Sequence, residues 1–227
     1  MPVRQVINAT PRTRIISLDL HDVTFAFKAG QALMVGLSGS QLRKPYSIAS
    51  APWELAKTAT LQVLAQIDDS GSLDPHLELA TPGTQLDLEG PFGSFGLPSH
   101  VERPLLFVAG GTGIAPLRSM LIERLARAST LPVVLVYSAR SADEFAFRPE
   151  LMALQSSGRL AVYFTVTRDD GGWQGRRGRI DETLLKEALP SPESYCLVCG
   201  PPQLVNDASL LLRKLGVTDE QILLETY

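Results

Sequence analysis

The amino-acid sequence predicts a two-domain β plus α/β chain: a small antiparallel β-barrel over residues 1–98, then a doubly wound parallel-sheet domain over residues 99–227. Three observations predict it. Short apolar runs separated by Gly, Pro, Ser or Asp recur through the first half, the pattern of a small barrel or sandwich. From Leu105 onward strand-like and helix-like runs alternate, which implies a parallel sheet with helices on both faces. Between the first of these strands and its helix lies a glycine-rich turn, Gly110-Gly111-Thr112-Gly113.

In the first half the expected strands are 14–20, 32–37, 46–49, 61–67 and 85–88, with a short helix hinted at 73–79. The character changes across residues 98–104. Beyond them, strands 105–109, 133–137, 160–165, 195–198 and 222–224 alternate with helices 114–128, 147–155, 182–188 and 203–215. Leu117, Met120, Leu121 and Leu125 give the first helix one apolar stripe.

Composition narrows the function classes. Hydrophobic residues at 44% and charged residues at 20% are an ordinary globular balance. No apolar run reaches the ~18 residues that mark a membrane span, and the first residues lack the apolar core of a signal peptide, so a cytoplasmic protein is expected. A net charge of −3 gives no sign of a nucleic-acid surface. Two cysteines, Cys196 and Cys199, are too few for a disulfide framework and read as cytosolic thiols. Three apart in a strand, they point to opposite faces and cannot readily share a metal. His21, His76 and His100 are scattered, so neither a metal site nor a Ser–His–Asp arrangement is expected.

The glycine-rich turn carries the first chemical signal. Gly111, Thr112 and Gly113 let backbone N–H groups approach a pyrophosphate, and the helix behind them offers its positive end. Pro116 suits the first helical turn but occupies the third glycine's place in the usual dinucleotide fingerprint. The bland alternative is a tight turn without a ligand. The next strand runs into Tyr137-Ser138-Ala139-Arg140, where a standard NAD site has an acidic residue for the ribose hydroxyls. Ser138 and Arg140 suit a 2′-phosphate better. In the first half, Lys44-Pro45-Tyr46-Ser47 places a phosphate-pairing cation, an aromatic ring and a hydroxyl at one strand start.

Taken in order, these motifs resemble the ferredoxin–NADP(H) reductase superfamily. That family shows Arg-x-Tyr-Ser, then Gly-Gly-Thr-Gly-x-Ala-Pro, then Cys-Gly-Pro-Pro; here stand Lys44 to Ser47, Gly110 to Pro116, and Cys199-Gly200-Pro201-Pro202. Gly30-Gln31 and Gly90-Pro91-Phe92-Gly93-Ser94-Phe95 add to the likeness, which covers nearly the whole chain. The resemblance implies an FAD-binding barrel and an NAD(P)-binding α/β domain. It implies Tyr46 against the flavin ring, Ser47 near its reactive nitrogen, and Lys44 and Pro45 beside its phosphates. Gly71 and Ser72 would feed the pyrophosphate. Cys199, with Gly200 and Pro201, would lie where nicotinamide meets flavin. Glu225-Thr226-Tyr227 is similar to the Glu-x-Tyr ending of plant-type members, with Tyr227 covering the flavin and Glu225 joining proton or electron exchange. The catalytic set expected is therefore Ser47, Cys199, Glu225 and Tyr227, drawn from both halves.

Two departures stand out. Lys44 keeps the family arginine's charge but loses its planar fork. Asp74 stands where the family often has a hydroxyl donor to the flavin phosphates. Arg168 and Arg179 join Arg140 in resembling NADP-using relatives, so NADP(H) is favoured over NAD(H). The expected activity is hydride exchange between NAD(P)H and FAD, with a separate ferredoxin, flavodoxin, other redox protein or small molecule as the electron partner. The alternatives are a free-flavin reductase, an electron-transfer subunit without turnover of its own, and a dinucleotide-sensing module.

Overall fold

The computed structural model describes residues 1–67, 77, 80–98, 101–127, 129–168 and 171–227. The chain divides into two compact units: Met1–Leu97 with Arg118–Ala126, and Pro98–Leu117 with Arg127–Tyr227.

The first unit contains strands β1 (Val3–Thr10), β2 (Thr13–Asp19), β3 (Ala32–Leu37), β4 (Lys44–Ser47), β5 (Thr60–Gln66) and β6 (Leu86–Phe92), with helix α1 (Pro52–Thr58) before β5. They form two three-stranded antiparallel sheets, ordered β1-β2-β5 and β4-β3-β6. Bridges Pro2 to Gln85 and Ile48 to Val63 join them. Inward residues Ile16, Leu18, Leu33, Val35, Ile48, Leu61, Val63 and Leu86 make one buried core. β4 is an edge strand, which is why Pro45, lacking an N–H, is tolerated within it.

The second unit is a six-stranded sheet. It contains β7 (Leu105–Gly110), β8 (Val133–Ala139), β9 (Ala161–Val166), β10 (Arg176–Arg177), β11 (Tyr195–Gly200) and β12 (Ile222–Thr226). All pairs are parallel, in the order β10-β9-β8-β7-β11-β12. Helices α2 (Ile114–Leu125), α3 (Arg148–Ser156), α4 (Glu182–Ala188) and α5 (Pro202–Lys214) connect the strands. Every residue of β7 and β8 is buried, as expected for strands covered on both faces. On one face, Leu106, Val108, Val134, Val136 and Val198 pack with Leu184, Leu185, Val205 and Leu212 of α4 and α5.

The expected β plus doubly wound α/β architecture is what the chain adopts. Three elements were not anticipated: β1, α1 and the two-residue β10. β1 buries only its end residues, Val3 and Thr10, so it lacks the apolar alternation that marks a strand. α1 is one short helix, begun by Pro52 and closed back by Glu54, whose carboxylate accepts the Ala51 N–H at 2.7 Å. The helix hinted at 73–79 lies outside the described residues, apart from Leu77.

Strand order fixes where a ligand can sit in the second unit. The chain steps outward from β7 through β8 and β9 to β10, then returns to β11 on the other side of β7. The loops after β7 and β11 therefore diverge at their carboxyl ends, the switch point where open α/β sheets bind ligands.

Candidate functional site

At that switch point β7 runs into the turn Gly111–Gly113 and directly into α2. The turn lies against the end of β11. A Cβ on Gly113 would fall 2.3 Å from the Cys199 carbonyl oxygen, so only glycine permits this approach. The hydroxyl of Tyr227 donates to the Gly110 carbonyl at 2.9 Å. The backbone N–H groups of Thr112 and Gly113, and the Thr112 hydroxyl, face the same phenol oxygen, while burial pushes its pKa up. An oxygen thus stands where a helix N-terminus with convergent N–H groups would hold a phosphate oxygen. Gly111, Thr112 and Gly113 fit a pyrophosphate on this observation.

Cys199 and Glu225 are brought together. Their strands pair in register, and the Cys199 thiol donates to Glu225 Oε2 at 3.7 Å. Burial, and then the Glu225 carboxylate, push the thiol well above its usual range. Burial also raises Glu225. Cys199 is therefore a neutral thiol that can donate a hydrogen bond, not a thiolate nucleophile. Cys196 packs into the core of the opposite face, its thiol pushed up to about 12 by burial, and both cysteines are free. Gly200 ends β11 and Pro201 precedes α5. Among the described residues no cluster could hold a metal ion.

The three arginines lie beside neighbouring strand ends. Arg140 follows β8, Arg168 follows β9, and the Arg168 N–H donates to the Arg140 carbonyl at 2.8 Å. Arg179 follows β10, whose partner is β9. Arg168 and Arg179 are exposed. Arg140 is not an unopposed cation: its Nε pairs with Glu144 Oε2 at 3.0 Å, and Glu144 is the more buried partner. Ser138 is buried within β8, opposite Gly110. Arg176 is committed elsewhere, to Asp181 and Glu187.

In the first unit, β4 presents Lys44 and Pro45 outward and leaves Tyr46 and Ser47 half-buried. Burial raises the Tyr46 phenol to about 12, so it stays a hydrogen-bond donor at neutral pH. Arg43 pairs with Asp87 at 3.4 Å and Glu89 at 3.5 Å. The segment after β4 is clamped. Arg118 donates to the Ala49 carbonyl at 2.7 Å and to both oxygens of Glu54 at 3.0 and 3.1 Å. Ser119 donates to the Ser50 carbonyl at 2.6 Å. Gly71 and Ser72, with Asp74, lie outside the described residues.

Sequence reasoning missed Glu144 and the Arg118–Glu54 clamp, and named Tyr137 only as part of a strand. Glu144 had a readable signal, four residues beyond Arg140. Arg118 and Glu54 are 64 residues apart, and nothing in a linear pattern pairs them.

Residues 1–96 match the oxidoreductase FAD-binding domain family, and residues 107–209 match the oxidoreductase NAD-binding domain family. The chain is 32% identical to ferredoxin–NADP reductase B of Sorangium cellulosum (strain So ce56), over 96% of this chain and 93% of that protein. It is 34% identical to methane monooxygenase component C of Methylosinus trichosporium over 73% of this chain, but spans only 48% of that longer protein. Among solved structures, a ferredoxin NADP+ reductase from Neisseria gonorrhoeae with bound FAD and NADP shares the fold at a TM-score of 0.81. That likeness covers 99% of this chain and 96% of that one, at 24% identity. An Amycolatopsis cytochrome P450 reductase shares it at 0.86, over 100% of this chain and 69% of that one, at 23% identity. No helix of the described residues is long and apolar enough to cross a membrane. With both domain families in order and a relative matched almost end to end, the chain belongs to the ferredoxin–NADP reductase family of FAD- and NAD(P)-binding oxidoreductases.

Proposed function

We propose that the chain holds FAD as a resident cofactor, prefers NADP(H) to NAD(H), and exchanges electrons with a separate carrier such as ferredoxin or flavodoxin. The observation that carries this reading is the Gly111–Gly113 turn, whose N–H groups converge on one oxygen at the switch point, with Arg140, Arg168 and Arg179 on the adjoining strand ends. The bound flavin and nicotinamide supply hydride transfer between their rings. The protein's part is to bind and orient. Lys44 supplies positive charge for the flavin phosphates, Tyr46 offers a ring face and a phenol donor, and Ser47 offers a hydroxyl. Thr112 and Gly113 present N–H groups to the coenzyme pyrophosphate. Cys199 and Glu225 hold a proton between them near the end of β11, where a thiol donor or a carboxyl acceptor serves the reacting rings. The nearly full-length match to a protein named ferredoxin–NADP reductase B supports the choice of carrier.

Coenzyme preference rests on opposing charges. Glu144 offsets Arg140, so Arg168 and Arg179 must carry most of the attraction for a 2′-phosphate. The expected kcat/KM ratio is about tenfold in favour of NADPH over NADH. A ratio near one or below it removes the NADP assignment.

One observation favours a second reading, reduction of free flavin. Lys44 is exposed on an edge strand, and the neighbouring Arg43 is engaged by two carboxylates. Gel filtration separates the two readings. Resident FAD leaves the protein yellow at one flavin per chain, whereas a protein that emerges colourless, yet reduces added flavin with NADPH, is a free-flavin reductase.

A further inference from the structure

Tyr137 is the largest fully buried side chain of the described residues, at the end of β8 beside the glycine-rich turn. Its ring packs edge-on to Phe145, at 5.1 Å between centroids, and is tilted against Phe164 at 6.2 Å. Packing alone would be served as well by phenylalanine. The hydroxyl makes two further contacts. It donates to the Gly111 carbonyl at 3.0 Å and accepts the Ala146 N–H at 3.2 Å.

The first of these bears on the site. The carbonyl of Gly111 and the N–H of Thr112 belong to one trans peptide unit, so they point in opposite directions. With the carbonyl held inward by Tyr137, the Thr112 N–H must point outward, and it faces the oxygen of Tyr227. Gly111 sits at φ +54, in the left-handed region, and its carbonyl also accepts the Ile114 N–H, so the Tyr137 hydroxyl is a second hold on the same oxygen. The other end of the turn is fixed by the close approach of Gly113 to the Cys199 carbonyl. The second contact ties the turn to the loop carrying Glu144, the partner of Arg140.

We propose that Tyr137 is a positioning residue for coenzyme binding: its buried hydroxyl holds the Gly111–Thr112 peptide so that the Thr112 N–H is presented to the coenzyme pyrophosphate. The proposal rests on the reading of this turn as the coenzyme site. Tyr137 touches no reacting atom. It acts through the turn, and its loss falls on binding rather than on chemistry.

The test is Tyr137→Phe in the flavin-loaded full chain, measured with whichever coenzyme the unaltered protein uses better. The hydroxyl is lost and the ring kept, so the Gly111 carbonyl keeps only the Ile114 N–H as its donor. The expected result is a coenzyme KM raised about tenfold with kcat within about twofold of the unaltered protein. Amide hydrogen exchange at Thr112 is expected to accelerate while Leu106 and Val108 of β7 keep their protection. A purely structural hydroxyl would instead speed exchange throughout β7 and lower KM-saturated turnover as well, and that result overturns the proposal, as does a variant that fails to fold. Unchanged KM with unchanged Thr112 exchange overturns it too. If the unaltered protein shows no turnover or binding with either coenzyme, the coenzyme-site reading itself fails. If it is active and Tyr137→Phe matches it, only the role of Tyr137 fails.

Discussion

Tyr227→Ala is expected to tighten binding of the oxidised coenzyme about tenfold. The phenol oxygen of Tyr227 already engages the turn that a pyrophosphate needs: it donates to Gly110 at 2.9 Å, and the N–H groups of Thr112 and Gly113 face it. A coenzyme that uses those groups must displace it first. A net hydrogen bond surrendered is worth up to about 1.5 kcal/mol, so displacing this contact weakens apparent affinity by up to roughly an order of magnitude. The notion that Tyr227 covers the flavin ring, carried by resemblance, predicts the same direction for Tyr227→Ala. Tyr227→Phe separates the two. It keeps the ring and removes the oxygen, so it gives most of the gain if occupancy of the turn is the cause, and little if ring stacking is. Fluorescence or calorimetric titration of NADP+ reads the difference.

Arg118→Met is expected to destabilise the first unit by about 3 kcal/mol, the loss typical of breaking a buried, hydrogen-bonded pair. The Arg118 side chain is 6% exposed and that of Glu54 is 22% exposed, so methionine leaves the Glu54 carboxylate with much of its surface away from water and one partner fewer. The same guanidinium holds the Ala49 carbonyl, two residues past Ser47. Loosening this segment loosens the end of β4 and with it the grip on flavin, so the variant should also lose flavin faster on dilution. Adding Glu54→Gln to Arg118→Met should recover part of the loss, because it removes the orphaned charge. Urea unfolding of the unaltered protein, the two single variants Arg118→Met and Glu54→Gln, and the double variant checks this. A single-variant loss under about 1 kcal/mol would show the pair to be a surface-like contact.

How much of this was legible in the sequence follows from how local each signal is. The parallel strands of the second half were readable because strands buried on both faces, such as Leu105–Gly110 and Val133–Ala139, are unbroken apolar runs. The turn at Gly111–Gly113 was readable because its glycines, preceding strand and following helix are contiguous. β1 was not, since its outward residues are polar or exposed and only Val3 and Thr10 are buried. The opposite facing of Cys196 and Cys199 follows from strand period alone, and the structure places one thiol in the core and the other against Glu225. The place of the Tyr227 hydroxyl was beyond the sequence, because it depends on a contact between residues 117 apart. The contacts of Arg140 and Tyr137 were not readable for a related reason. A charge or a ring in a strand end says nothing of the carboxylate or carbonyl that the fold brings to it.

The central claim is that nicotinamide coenzyme and flavin exchange a hydride on this one chain. Anaerobic mixing of the FAD-loaded protein with NADPH, in a stopped-flow spectrophotometer and with no carrier added, tests it most directly. The account predicts loss of the visible oxidised-flavin band, dependent on coenzyme concentration, with recovery on adding an electron acceptor. A flavin band that stays unchanged while NADPH demonstrably binds would contradict it.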